Sequence, residues 1–165
     1  MMESIRTVFT PSNVSFMMEG LKLALLISIG VVILSIIFGT VLGLLRNYEK
    51  KVFGKLAGAY IEIFRNTPLL LWMLSCSFLI PGSTITLKGS FALFLYTSAV
   101  VAEIVRGGLN SIPKGQFEAA HSQGFSFMQS LWYIVLPQAF KKIIPSLLSQ
   151  VITTIKDTSF LAGLG

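Results

Sequence analysis

Apolar residues run in long blocks along this chain, separated by short polar intervals and by one longer polar-rich interval at residues 114–137. The longest block, residues 23–45, holds about 23 residues without a charge, enough at roughly 1.5 Å each to cross a hydrocarbon layer of about 30 Å. It is the one block that passes a strict hydropathy test. Residues 1–15 before it are mixed and polar, and Thr10-Pro11-Ser12-Asn13 reads as turn chemistry at a membrane surface. The block is too long for a secretory signal and no small-residue cleavage site follows it, so it is expected to be retained.

Ser35, Gly39 and Gly43 recur every fourth residue within this block, making a stripe on which another helix backbone can come close. Core packing is the expected role, with a dimer seam as the alternative. Residues 46–55 then carry Arg46, Lys50, Lys51 and Lys55 against the single acid Glu49. The positive-inside rule makes that loop cytoplasmic and the N-terminus external.

A second block, residues 56–80, is long enough to span but contains Glu62 and Arg65. Three apart on a helix, the two charges can meet on one face. They belong either to an interfacial amphipathic stretch or to a cavity inside a bundle, where ionisable groups are functional candidates. Pro68 predicts a local break. Residues 81–90, with Pro81-Gly82-Ser83, read as an external turn. The third block, 91–105, ends in Glu103 and Arg106, and the fourth, 143–155, has Pro145 near its start and leads into Lys156-Asp157-Thr158-Ser159. Asp157 serves either as an interfacial partner of Lys156 or, with its neighbouring hydroxyls, as a site for a substrate ammonium group.

Composition agrees with this pattern: 53% of residues are hydrophobic and 12% are charged, against about 25% charged in soluble domains. The expected fold class is an all-α integral membrane protein, a polytopic helical bundle. The net charge of +6 lies between apolar blocks, so it marks membrane orientation rather than nucleic-acid binding. Cys76 stands alone and apolar, which suits a buried inert thiol, and His121 has no Cys or His partner at metal-ligand spacing. No GxxxxGK[ST] phosphate loop occurs, and no cofactor or metal is expected; if ATP drives this protein, a partner hydrolyses it.

The polar interval 114–137 reads as a helix over 116–123, a turn at Gly124 and a second helix over 125–135, with Pro137 opening the next element. Ala119 and Ala120 are expected on a close-approach face beside the Glu118 carboxylate. The spacing is Glu118-Ala119-Ala120, three residues, Gly124, nine residues, then Ile134-Val135-Leu136-Pro137. It resembles the EAA signature of the inner-membrane permease subunits of ABC importers at every position. The surrounding Arg65-Asn66-Thr67-Pro68-Leu69-Leu70, Glu103-Ile104-Val105-Arg106-Gly107-Gly108, Ser111-Ile112-Pro113-Lys114-Gly115-Gln116 and Lys156-Asp157-Thr158-Ser159 resemble the branch that imports polar amino acids. The likeness covers nearly all of the chain from about Gly20 onward.

That resemblance implies a cytoplasmic coupling helix that seats in the ATP-hydrolysing subunit, with Gly115, Glu118, Ala119, Ala120 and Gly124 as its coupling residues. It implies a bacterial inner-membrane location, ABC ATP-binding subunits, a second permease subunit, an extracytoplasmic amino-acid-binding protein and surrounding lipid as partners. Asp157, Thr158 and Arg65 are the candidate contacts for a zwitterionic amino acid. Residues 1–19 are expected to form an external or interfacial segment and 20–165 the permease domain. Permeases of this type continue past the Lys156–Ser159 segment into another transmembrane helix, so the domain is expected to be C-terminally incomplete. The rival classes are a membrane-embedded assembly protein that does not conduct and an importer permease for another small solute.

Overall fold

The computed structural model describes residues 9–49 and 51–164; residues 1–8 of the N-terminal segment, Lys50 of the basic loop and Gly165 lie outside the described residues. All regular elements among the described residues are helical. They run α1 (Pro11–Tyr48), α2 (Val52–Asn66), α3 (Leu69–Leu79), α4 (Ile85–Asn110), α5 (Lys114–Ser122), α6 (Phe127–Ser130), a π-helical turn (Leu131–Val135), α7 (Leu136–Asp157) and α8 (Ser159–Ala162).

The residues read as a turn at 10–13 instead start α1. Thr10 Oγ1 accepts the Asn13 N–H at 3.3 Å and Pro11 takes the first helical position, where its missing N–H costs nothing. The helix then continues through Glu19 and Gly20 without a break, and its 38 residues extend about 57 Å. The loop read at 46–55 shrinks to three residues, because Arg46 stays on α1 and Lys55 belongs to α2. Its lone acid explains the tightness: the Glu49 carboxylate accepts the N–H groups of Lys51 at 2.7 Å and Gly54 at 2.5 Å, covering free donors at the start of α2.

The block 56–80 breaks at Pro68, where the sequence places a break. Neither α2, with 15 residues, nor the apolar α3, with 11, is long enough to cross alone. The turn expected over 81–90 ends earlier. Gly82 takes a positive φ of 75°, Thr84 caps the next helix by accepting the Leu87 N–H, and α4 begins at Ile85. Lys88 therefore lies on α4, its ammonium donating to the Ser77 carbonyl at 3.1 Å near the end of α3. Begun at Ile85, α4 joins α1 as a second helix long and apolar enough to span, which corrects the reading of 23–45 as the one such block.

α4 is the axis of the fold and touches α1, α2, α3, α7 and α8. Its contact with α1 runs along the small-residue stripe. Ser35 Oγ donates to the Phe94 carbonyl at 3.3 Å, and a Cβ at Gly39 or Gly43 would lie 2.6 Å from the carbonyl oxygen of Ser98 or Ala102. The stripe is thus occupied by α4 of the same chain. α2 seats Ala57 and Ile61 against Leu42 and Ala102, and the Tyr60 hydroxyl lies 2.9 Å from the Leu95 carbonyl and 2.8 Å from Ser98 Oγ. α3 buries Leu69, Met73 and the free Cys76 with Val31, Ala92 and Leu93.

The outward faces are apolar too. Ile29, Ile33 and Ile37 on α1 and Phe140, Ile144, Leu148 and Ile152 on α7 are exposed at helical spacing, a surface that fits hydrocarbon better than water. The fourth block also begins earlier than expected: α7 starts at Leu136 and holds Pro145 in its interior, a break in the hydrogen-bond ladder that helices in lipid tolerate.

Gly39→Ala is expected to lower the thermal stability of the detergent-solubilised protein by about 1–3 kcal/mol through overpacking. Gly30→Ala, where a Cβ meets nothing within 4 Å, is expected to leave it unchanged. Equal melting temperatures for the two variants would show that the α1–α4 seat does not depend on close approach.

Candidate functional site

The interval 114–137 folds into a compact lug beyond the end of α4. Ser111 closes α4 by donating its N–H to the Gly107 carbonyl, and its own carbonyl accepts from Lys142 Nζ at 2.9 Å. Pro113, at φ −58°, then starts α5. The helix ends in a Schellman turn: the Phe125 N–H reaches back to the Ala120 carbonyl at 3.0 Å and the Gly124 N–H to the His121 carbonyl at 2.9 Å. Gly124 makes this possible with a φ of 82°, a left-handed conformation that side chains oppose. Ser126 and Gln129 form a reciprocal capping box for α6.

Ring contacts and a shared core hold the lug to the bundle. Phe127 stacks on Phe117 with centroids 5.8 Å apart and meets Tyr48 of α1 edge-on at 5.6 Å. Leu131 and Val135 of the π turn pack with Val105 and Leu109 of α4, with Ile112 just beyond it, and with Ala139 and Ile143 of α7. Gln138 Nε2 donates to Gln116 Oε1 and the Ile134 carbonyl, each at 2.9 Å. The second lug helix, read as unbroken over 125–135, is instead one α turn followed by the π turn. Pro137 supplies the reason: it has no N–H to give Tyr133, and the widened turn lets Leu136 donate to Leu131 instead.

On α5, Gly115, Glu118, Ala119 and Ser122 share one exposed face. Ala120, expected beside Ala119 on that face, is 2% exposed and turns into the lug. Successive helical residues are about 100° apart, so two adjacent alanines cannot both face one partner. The outer face therefore offers small residues around one carboxylate, with nothing within 4 Å of the Cβ position at Gly115. His121 is exposed on the same helix.

The candidate substrate residues do not converge. Thr158 is buried and donates its hydroxyl to the Ile155 carbonyl at 2.7 Å. With Lys156 and Ser159 it lines an open apolar cleft of about 520 Å³ between α1, Thr86 at the start of α4 and the α7–α8 junction. Asp157 is half-buried and is not among the residues lining that cleft. Arg65 lies at the lug end of α4, 3.6 Å from Glu103. From Thr86 to Glu103 is about 25 Å along the helix, too far for one amino acid to touch both groups.

Glu62 and Arg65 do not form the pair that their spacing allowed. Glu62 meets Arg46 of α1 at 2.6 Å, and Arg65 meets Glu103 of α4. Glu103 gathers three guanidiniums: Arg106, which donates Nε at 3.0 Å to Oε2 and Nη2 to Oε1; Arg46 at 3.5 Å; and Arg65. Sequence reasoning noticed the Glu103–Arg106 spacing but missed Arg46, a member that only tertiary folding brings in.

Comparison with known proteins gives this geometry its context. A family model described as a binding-protein-dependent transport system inner membrane component matches residues 32–165. The chain is 38% identical over 155 residues to the probable glutamine ABC transporter permease protein GlnP of Bacillus subtilis (strain 168), covering 92% of this chain and 71% of that protein. It is 32% identical over 161 residues to the glutamate/aspartate import permease protein GltK of Escherichia coli O157:H7, covering 90% and 72%. Among solved structures, a crystal structure of an amino acid ABC transporter with histidines superposes with a TM-score of 0.83 at 31% identity, over 93% of this chain and 75% of that one. The MetNI methionine ABC transporter in inward-facing form shares the fold, with a TM-score of 0.78 at 21% identity over 95% and 78% of the two chains. An EAA lug rooted in a helical bundle, a family match over most of the chain and relatives of this similarity lead to one conclusion: the chain belongs to the inner membrane component family of binding-protein-dependent transport systems.

Proposed function

We propose that the chain is a permease subunit of an ATP-driven importer of polar amino acids, in which residues 20–165 form part of a pathway through the bacterial cytoplasmic membrane. The observation that carries the coupling role is the rigid lug with a small-residue face around Glu118. Separate ATP-binding subunits grip that face through Gly115, Glu118 and Ala119. Ala120 and Gly124 act indirectly, holding the helix end in shape through the Phe125–Ala120 bond and the positive φ. A stiff lug passes on the closing movement of the ATPases, which a flexible loop would dissipate.

A second permease subunit, alike or different, completes the pathway, and an extracytoplasmic binding protein delivers the solute. The glutamine and glutamate/aspartate permeases among the relatives support a polar amino acid as cargo. Asp157 and Thr158 meet the solute near the outer end, and Arg65 meets it later near the lug, as successive contacts along α4. The lug end carries Arg46, Lys51, Lys55, Arg106, Lys114, Lys141 and Lys142, which supports a cytoplasmic lug and an external N-terminus.

In proteoliposomes holding the whole transporter, Glu118→Lys is expected to reduce amino-acid-stimulated ATP hydrolysis roughly tenfold, since a reversed charge in a docking face costs more than 1 kcal/mol, while membrane insertion stays normal. Wild-type stimulation in that variant would remove Glu118 from the interface. Asp157→Asn is expected to cut glutamine uptake roughly tenfold without changing the yield of assembled complex, because a charge-assisted hydrogen bond is lost. Full uptake would take Asp157 off the path. With Cys76 replaced by serine, cysteines at Lys51 and Pro81 should react with an impermeant maleimide from opposite sides of the membrane; labelling from one side would overturn the topology.

A further inference from the structure

The charge cluster around Glu103 joins three helices at the point where the lug-bearing helix leaves the bundle. Arg46 belongs to α1, Glu62 and Arg65 to α2, Glu103 and Arg106 to α4. We propose that Glu103 is a positioning residue through which α4 fixes the rotation and register of α2, with Arg65 as the α2 end of the link. Its use in transport rests on the importer reading above; its existence does not.

Two kinds of contact hold α2. The apolar seat of Ala57 and Ile61 on Leu42 and Ala102 sets how deeply the helix lies, but burial of this kind is non-directional and resists rolling only weakly. The Tyr60 hydroxyl, against Leu95 and Ser98, supplies one directional point. Glu62 supplies another against Arg46, but that tie runs to α1, and on α4 a helix held only at Tyr60 still pivots. Arg65, in the last turn of α2, supplies the second point by reaching the Glu103 carboxylate. Glu103 is itself held firmly: its side chain is 21% exposed, and Arg106, three residues on, donates to both of its oxygens. A few residues further along, Leu109 and Ile112 share a core with Leu131 and Val135 of the lug. The path from lug to α2 is therefore a short run of one helix and one ion pair.

The Arg65 arm is also the weakest of the three. It lies 3.6 Å from Glu103 without a hydrogen bond, on a side chain 41% exposed, so it releases and reforms at small cost. Removing the Glu103 charge has a larger consequence. Three guanidiniums would then face one carboxylate, Glu62, which is 63% exposed, and their mutual repulsion would push α2 off α4.

The test uses nitroxides at Lys55→Cys on α2 and Asn110→Cys at the end of α4 in the complete transporter, with Cys76→Ser as background, and pulsed electron resonance to measure their separation. Arg65→Gln and Glu103→Gln are each expected to shift or broaden the distance distribution. Arg65→Lys, which keeps the charge, is expected to restore it, and the double variant is expected to relieve part of the Glu103→Gln shift, because it removes the α2 cation that is repelled. In proteoliposomes Arg65→Gln is expected to lower glutamine taken up per ATP hydrolysed by about fivefold, the scale of one lost exposed ion pair, and Glu103→Gln by more. Unchanged distances in Arg65→Gln, or single-variant shifts that add in the double, would overturn the proposal. The distance measurement needs no transported solute, so it decides the positioning role even where wild-type glutamine uptake fails and the cargo assignment falls.

Discussion

The fold depends on how closely two helix backbones approach. Where Gly39 and Gly43 cross α4, the carbonyl oxygens of Ser98 and Ala102 occupy the space that a side chain would need. In a lipid environment, where apolar side chains gain little by choosing protein over solvent, such close packing and the hydrogen bonds it permits become the main source of helix association. The consequence reaches further than α1. With α1 seated, Leu42 and Ala102 present a combined surface on which Ala57 and Ile61 of α2 rest. Arg46 is likewise brought within reach of Glu103 and Glu62, although they lie on other helices.

The lug is braced against bending where it meets the bundle, and most of its contacts lie there. The Schellman turn at Gly124 and the capping box at Ser126 leave few free backbone groups at the joint. Phe117, Phe127 and Tyr48 lock the outer layer by ring contacts, and Val135, fully buried, locks the inner one. The π turn fits the same purpose. It absorbs the missing N–H of Pro137 while allowing the chain to continue into α7 without a loop.

What the sequence could reveal was local. Pro68 marked a break because a ring without an N–H acts wherever it sits, and Gly124 marked a turn because few residues accept its conformation. Helix identity was legible over every apolar block. Boundaries were less so: Thr10 and Thr84 look like turn residues in a string of letters, and become caps only when the following N–H groups need an acceptor. Pairing was least legible. The three-residue spacing of Glu62 and Arg65 permits a contact, yet the fold pairs Glu62 with α1 and Arg65 with α4. The adjacent alanines of the lug show the same limit, since the letters give two small residues and the helix turns one inward.

Continuous and interrupted helices are distributed unevenly through the bundle. α4 runs 26 residues without proline, is packed by five other helices, and ends in the core that roots the lug. α2 and α3 instead meet at Thr67 and Pro68, where no helical hydrogen bond crosses the joint except the contact of Leu71 N–H with the Pro68 carbonyl on the α3 side. α4 is therefore linked to α3 in two ways: directly, through Ala92 and Leu93 against Met73, and through α2, which meets α4 at Tyr60 and Arg65. The direct contact is apolar and close-packed, whereas the second is made of directional contacts. The break at Pro68 lets the two differ.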